Sequence, residues 1–141
     1  MSEIRQNMER AARIAGRRPD EVLLCAACKT HSLQTIRASA ALPVDLFGEN
    51  RAQELMGHFD SGAYLGKPCH FIGHLQTNKV KDVVGRAAVI QSVDSRRLLD
   101  AIQKEAERQG LVQEILFERQ QLFRDYVCGI SMQQSPLFAN K

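Results

Sequence analysis

The chain of 141 residues contains no tryptophan, and aromatic residues make up only 6% of it. Its basic residues are scattered, with Arg17–Arg18 and Arg96–Arg97 as the only adjacent pairs, and the net charge is a mild +3. Nucleic-acid-binding surfaces usually combine a basic stripe with aromatic side chains on which bases stack. The composition therefore argues against a nucleic-acid partner and favours an ordinary solvated surface.

Long apolar runs are missing as well. No stretch approaches the roughly 18 residues that a membrane span needs, and residues 1–18 lack the apolar segment of a secretory signal. The four cysteines are therefore expected to be reduced thiols rather than a disulfide framework. These absences, with 44% hydrophobic and 25% charged residues, predict an ordinary globular domain in the cytoplasm.

What the sequence does contain is an alternation of helical periods with short apolar runs. Helices are predicted at 2–15, 32–41, 50–59, 76–84 and 95–108, and strands at 22–27, 44–47, 69–72, 87–91 and 112–117. Continuous apolar runs are typical of strands buried on both faces of a parallel sheet. Strands that alternate with helices form right-handed βαβ units. The fold class predicted from the residues is therefore α/β with a parallel sheet.

The alternation stops after Glu118. Residues 119–127 fit one more helix, whereas residues 131–141 show neither period, and no sixth strand is predicted. Two regions are therefore expected: a partial (β/α) domain over residues 1–118, and an atypical tail over residues 119–141 that is helical and then irregular.

Polar residues follow the predicted strands, which is where parallel α/β folds bind their ligands. The residues at these strand ends, most of them polar, are Cys28, Lys29, Thr30 and His31 after strand one, Gly48, Glu49 and Asn50 after strand two, Gly73, His74, Leu75 and Gln76 after strand three, and Ser92, Val93 and Asp94 after strand four. Lys29 is the most informative, because an amine at a strand end can attack an aldehyde once its surroundings lower its pKa. A lysine that merely reaches solvent is the alternative.

Four blocks of the sequence resemble the pyridoxal-phosphate homeostasis family. They are Cys28-Lys29-Thr30, residues 47–54 (FGENRAQE), residues 70–79 (HFIGHLQTNK) and Ser92-Val93-Asp94-Ser95. The resemblance covers about residues 4–118, in order, and the block around Gly73 is the most specific.

This resemblance implies a parallel (β/α)₈ barrel of the alanine-racemase type, truncated here to about five strands. It implies pyridoxal 5′-phosphate (PLP) as the cofactor, held as a Schiff base on Lys29, with no assigned catalytic reaction. Asn50 is expected beside the cofactor, with a helix N-cap as its other role. His74 and Ser92 are expected to line the same mouth. Glu49 and Glu54 are expected to be ion-pair partners rather than catalytic acids.

The family's phosphate-binding residues would belong to the half that has no counterpart in this chain. The resemblance therefore implies weakened cofactor binding, with apo PLP-dependent enzymes as candidate partners. Unpaired strands at the edges of an open sheet predict self-association. A truncated relic that binds nothing is the alternative.

A metal or redox site is a further alternative, because Cys25 and Cys28 have CxxC spacing and Cys69, His70 and His74 supply other soft ligands. However, positions three apart in a strand point to opposite faces, so the two thiols cannot easily reach one ion. The sequence therefore favours the carrier hypothesis over a metal site.

Overall fold

Residues 2–117 are described by the structure, which is a computed structural model of the chain. Five short strands form one sheet in which all neighbouring strands are parallel and the strand order follows the chain. The strands are β1 (Cys25–Ala27), β2 (Leu46–Glu49), β3 (Cys69–Phe71), β4 (Val89–Val93) and β5 (Glu114–Phe117). The helices are α1 (Ser2–Ile14), α2 (Leu33–Ala40), α3 (Ala52–Asp60), α4 (Val80–Val83) and α5 (Arg96–Gln109), with 3-10 helices at Pro19–Glu21 and Thr77–Lys79.

The strand order identifies the type of α/β fold. A doubly wound sheet reverses its strand order at a switch point, whereas a (β/α) barrel adds each strand to the same side of the previous one. The order β1-β2-β3-β4-β5 is of the second kind. The predicted fold class is confirmed: the described residues form five strands of a parallel (β/α) barrel. Within residues 2–117, β1 and β5 each pair with a single strand, so the sheet is open there.

One face of the sheet packs against the helices. Phe47, Phe71, Ile90 and Ile115 alternate onto this face and are each at most 1% exposed, together with Ile102 of α5. Burial of such side chains contributes about 1.5–3 kcal/mol each, so this layer holds the helices on the sheet.

The opposite face, called the inner face below, is only partly covered by the described residues. Cys25 and Ala27 of β1 lie on it and are exposed, whereas β2 is buried along its whole length. The prediction that the first strand is buried on both faces is therefore wrong, because β1 is an edge strand of an open sheet.

Two strands end later than predicted. The runs 44–47 and 87–91 were expected to be strands, but β2 and β4 lie two residues further along. Polar residues mark the end of an apolar run but do not stop backbone pairing, and Gly48 and Glu49 pair with His70 and Phe71. Ser92 and Val93 likewise lie within β4 rather than after it. This corrects the prediction that these residues follow their strands.

The helix ends agree better with the sequence. The Ser32 hydroxyl accepts a hydrogen bond from the backbone N–H of Thr35 at the start of α2, and α5 is ended by Gly110 at φ +66°. The predicted helix over 76–84 is instead a 3-10 helix followed by the short α4.

The predicted helix at 119–127 and the tail to residue 141 lie outside the described residues. Among residues 2–117, no helix combines the length and the apolar character that crossing a membrane requires.

Candidate functional site

Lys29 lies in a tight turn directly after β1. The backbone N–H of His31 donates to the carbonyl of Cys28 at 3.1 Å, so Lys29 and Thr30 are the central residues of this turn. Thr30 has φ +55°, a left-handed conformation that β-branched residues rarely adopt. Such strain at a strand outlet is more common at functional sites than elsewhere.

The Lys29 amine is available for chemistry. Lys29 is exposed, and its amine makes no hydrogen bond or ion pair with any residue in the range 2–117. By contrast, Lys67 donates to the carbonyls of Leu42 and Val44 at 2.8 Å, and Lys79 lies 3.9 Å from a carboxylate oxygen of Asp82. The amine at the first strand outlet is therefore free in the described part of the chain.

Asn50 follows β2 at the same end of the sheet. The residue that caps α3 is Arg51, without a side-chain cap bond, so the cap role that was expected as an alternative for Asn50 is not observed. The amide oxygen Oδ1 of Asn50 is buried and has no hydrogen-bond partner among the described residues. Leaving such an acceptor unpaired costs about 1–3 kcal/mol. A group of this kind is normally satisfied by a ligand or a water molecule.

Gly73 connects the outlets of three strands. A Cβ on Gly73 would lie 2.5 Å from the Cβ and 2.6 Å from the Cα of Asn50, so only glycine fits this close approach of the two chain segments. The Ser92 hydroxyl in turn donates to the carbonyl of Gly73. The structure thus links Asn50 and Ser92, two of the predicted site residues, through one glycine.

His74 lies on the rim of this region. Its side chain is 71% exposed, and its Nδ1 is 3.5 Å from Oδ2 of Asp94, which follows β4. This distance is long for a hydrogen bond, so the contact between His74 and Asp94 is weak. His74 is at the predicted end of the sheet but is not enclosed by it.

The inner face carries a polar pair that the sequence analysis did not assign to the site. Nδ1 of His70 in β3 lies 2.7 Å from Nε2 of Gln91 in β4, and both side chains are partly buried. Burial lowers the pKa of His70 and outweighs the opposite effect of the Glu114 carboxylate. The alternation of side chains along β3 and β4 indicates that both residues point away from the helices, because each is next to a core position. Whether they meet depends on the register of the two strands.

The other face of the sheet has a buried polar cluster around Glu49. Its Oε1 accepts a hydrogen bond from the Tyr64 hydroxyl at 3.1 Å and lies 2.8 Å from Nδ1 of His58, and the side chain is fully buried. Glu54 lies 3.3 Å from Arg51. The prediction that Glu54 is an ion-pair partner is confirmed. The contacts of Glu49 are hydrogen bonds with Tyr64 and His58, so its predicted ion pair stays a prediction. Glu49 faces the helices and not the strand outlets.

The two thiols of the CxxC spacing lie on opposite faces of the sheet. Cys25 is exposed on the inner face, whereas Cys28 is buried on the side of the helices. Burial, with the nearby Glu49 charge, raises the pKa of Cys28 and Cys69 to about 12, so these thiols are unreactive. Within residues 2–117, no group of three or more His, Cys, Asp or Glu side chains is arranged to hold a metal ion.

A groove of about 330 Å³ lies at the opposite end of the sheet. It is lined by Lys67, Pro68, Arg86 and Ala87 among others, and these residues precede β3 and β4. The groove is therefore separate from the strand outlets that carry Lys29 and Asn50.

The fold and the site together define a class of protein, a parallel (β/α) barrel. At its strand outlets the part of the chain that the structure describes has a lysine without a partner, an asparagine whose Oδ1 is unpaired and a tight glycine contact. Comparison with known proteins identifies the family. Over 118 residues the chain is 36% identical to the pyridoxal phosphate homeostasis protein of Aquifex aeolicus, and this match covers 84% of the chain and 52% of the relative. No family model matches the chain.

Solved structures give the same result. A crystal structure of an unknown protein from Bifidobacterium adolescentis matches with a TM-score of 0.72 and 32% identity, over 82% of this chain and 51% of that one. PipY of Synechococcus elongatus, solved with PLP bound, matches with a TM-score of 0.64 and 32% identity, over 77% and 51%. The chain belongs to the pyridoxal phosphate homeostasis protein family. It spans about half the length of the curated relatives that it matches.

Proposed function

We propose that this chain binds pyridoxal 5′-phosphate and holds it as a Schiff base on Lys29, as a carrier without an assigned reaction. The observation that carries the proposal is the Lys29 amine, which is exposed, has no partner among residues 2–117 and lies at the end of the sheet where Asn50 also lies. Family membership supports the choice of cofactor, because the related PipY was solved with PLP bound.

The residues at the strand outlets fit a ring with an aldehyde and polar substituents. The Lys29 amine would add to the aldehyde carbon, and a water molecule would leave as the C=N bond forms. The buried Oδ1 of Asn50 has no partner among residues 2–117 and suits a hydrogen bond from the ring hydroxyl. His74 would line the rim. The Ser92 hydroxyl donates a hydrogen bond to the Gly73 carbonyl. Its contribution would be to hold Gly73 in place and to accept a hydrogen bond from the cofactor.

The proposal includes weaker binding than in a relative of full length. PLP carries a phosphate dianion, which barrels of this class commonly hold at the loops after strands seven and eight. A polypeptide of these 141 residues matches about half of its relatives and offers five strands in residues 2–117. Delivery of the cofactor to apo PLP-dependent enzymes, and a cytoplasmic location, stay predictions.

Reductive trapping tests the proposal at the level of the single residue. We expect that borohydride treatment in the presence of PLP attaches a pyridoxyl group to Lys29, and that peptide mass spectrometry locates it there. The Lys29→Ala variant should lose this adduct. Lys81→Ala and Lys104→Ala are matched controls, since both lysines are exposed and have no partner among residues 2–117.

An adduct distributed evenly over all exposed lysines would indicate random labelling and contradict a dedicated site. A chain that remains unmodified at PLP concentrations that label a full-length relative would favour the alternative of a relic that binds nothing.

A further inference from the structure

The strand register shows which side chains of the sheet lie on the inner face. Ala27, Gly48, His70, Val89 and Glu114 are consecutive partners across the five strands and form one row on the inner face. Gln91 is two residues beyond Val89 within β4, where the pairing with β5 is irregular. Lys29 and Asn50 are two residues beyond Ala27 and Gly48 and lie just after the ends of β1 and β2. Because side chains alternate along a strand, positions two apart share a face. Gln91 therefore lies on the inner face with His70, toward the end of the sheet that carries Lys29 and Asn50.

The Gln91 side chain is held by His70. An amide nitrogen is a donor without acceptor capacity, so its 2.7 Å contact requires that Nδ1 of His70 be the acceptor and that the neutral ring carry its proton on Nε2. Burial favours this neutral ring, and the groups that face it are Gly48, Val89, Gln91 and the Glu114 carboxylate. The carbonyl oxygen and the second N–H of Gln91 make no hydrogen bond with other described residues. His70 thus holds the amide nitrogen of Gln91, and the amide oxygen has no partner among the described residues.

We propose that Gln91 is a further cofactor-binding residue, whose free amide end hydrogen-bonds the polar edge of the bound ring, and that His70 is the positioning residue that orients this amide. This inference rests on the proposed function. It adds a residue of β4 to those that follow β1 and β2, so that residues from three strands of the sheet contact one ring.

The first test needs no cofactor. Long-range ¹H–¹⁵N NMR spectra of the apo protein report which ring nitrogen of His70 carries the proton. We expect the Nε2–H form in the wild type, and a mixture of both forms in Gln91→Ala, since the partner of Nδ1 is then lost. Proton occupancy on Nδ1 in the wild type would reverse the orientation of the amide and overturn the inference.

The second test measures PLP binding by absorbance titration and by trapping at Lys29. We expect Gln91→Ala and His70→Phe each to raise the apparent dissociation constant about 5- to 10-fold, which corresponds to about one hydrogen bond. The double variant should be no weaker than the weaker single variant, because both changes remove the same oriented amide. His70→Asn should restore much of the affinity, since its side-chain oxygen can accept near the place of Nδ1. Gln53→Ala, on the exposed side of α3, is the matched control and should bind like the wild type.

The outcomes separate the two proposals. If the wild type is trapped at Lys29 while Gln91→Ala and His70→Phe bind with unchanged affinity, the inference fails and the proposed function stands. If the wild type itself takes no PLP at Lys29, the proposed function fails and the inference fails with it. Circular dichroism of each variant checks that the change in affinity is not a loss of the fold.

Discussion

Glu49 is fully buried between β2 and α3, where Tyr64 and His58 both contact its Oε1. Removing one partner from such a cluster leaves the others without hydrogen bonds in a dry environment. We expect Glu49→Ala to lower the free energy of unfolding by about 2–4 kcal/mol, measured by urea denaturation. Glu54→Ala is the control, because its ion pair with Arg51 lies at the surface and should change stability by less than about 1 kcal/mol. Equal effects of the two variants would show that the buried cluster contributes nothing to stability.

His70 gives the stability a dependence on pH. Burial lowers its pKa in the folded protein below the ordinary value of 6.5, so in the pH range just below 6.5 the unfolded chain binds more protons than the folded one. Stability is therefore complete above pH 6.5 and falls as the pH decreases, by less than about 1.4 kcal/mol per pH unit for a single proton.

Unfolding curves between pH 5 and 7.5 measure this effect. We expect His70→Asn to flatten the pH dependence relative to the wild type, and His31→Gln, a change in an exposed ring without a partner among the described residues, to leave it as it was. If the free energy of unfolding depends on pH equally in the wild type and in His70→Asn, the His70 ring is not desolvated in the folded state.

Individual residues differ in how far the sequence could predict their roles. Lys29 and Asn50 are predicted as site residues because polar residues after apolar runs mark strand outlets and a family resemblance points to the same two positions; their role stays a prediction. The contact between His70 and Gln91 could not be found in this way, because it joins two strands whose relative register is set by backbone pairing. The unpaired state of the Asn50 amide is also a property of packing and leaves no trace in the spacing of residues.

At the scale of the elements, the positions of the strand outlets depend on Gly73. A Cβ there would collide with the backbone and Cβ of Asn50, and neither can rotate away. We expect Gly73→Ala to push the β2 and β3 outlets apart, to lower stability by about 1–3 kcal/mol through overpacking, and to weaken PLP binding. Urea denaturation and trapping at Lys29 measure the two effects.

Gly57→Ala is the matched control for this substitution. Gly57 lies inside α3 with no atom near the position of a Cβ, and alanine is better than glycine in a helix by about 0.5–1 kcal/mol. It should therefore raise stability slightly and leave the outlets unchanged. A Gly73→Ala protein as stable as the wild type would mean that the two outlets can separate without cost.

The existence and order of the elements were predicted better than their bounds. All five predicted strands are present in the structure. They could be predicted because an apolar run between helical periods is a strong signal of a strand. β2 and β4 were placed two residues too early, because the apolar run begins before the pairing does and ends while Gly48 and Glu49 still pair. Within this buried strand, Tyr64 and His58 satisfy Oε1 of the Glu49 carboxylate, whereas Oε2 has no partner among the described residues.

At the scale of the whole molecule, the described sheet has two unpaired edges and a partly open inner face. β1 and β5 each pair with one strand within residues 2–117, and Cys25 and Ala27 are exposed on the inner face. Unpaired parallel edges with apolar neighbours favour association with another chain. We therefore expect the 141-residue polypeptide, with a mass of 15.8 kDa, to show a mass that rises with concentration in light scattering after size-exclusion chromatography.

A charge on the inner face at the β5 edge tests whether this surface mediates the association. Leu116 lies next to the core residue Ile115 and so points to the inner face, where a lysine would have to be desolvated on pairing. Leu116→Lys should raise the dissociation constant of the assembly about tenfold or more, equivalent to about 1.4 kcal/mol. Val112→Lys is the control, because Val112 precedes β5 and is 67% exposed, so it should associate like the wild type. A wild-type mass that stays at 15.8 kDa at every concentration would mean that this chain covers its own edges.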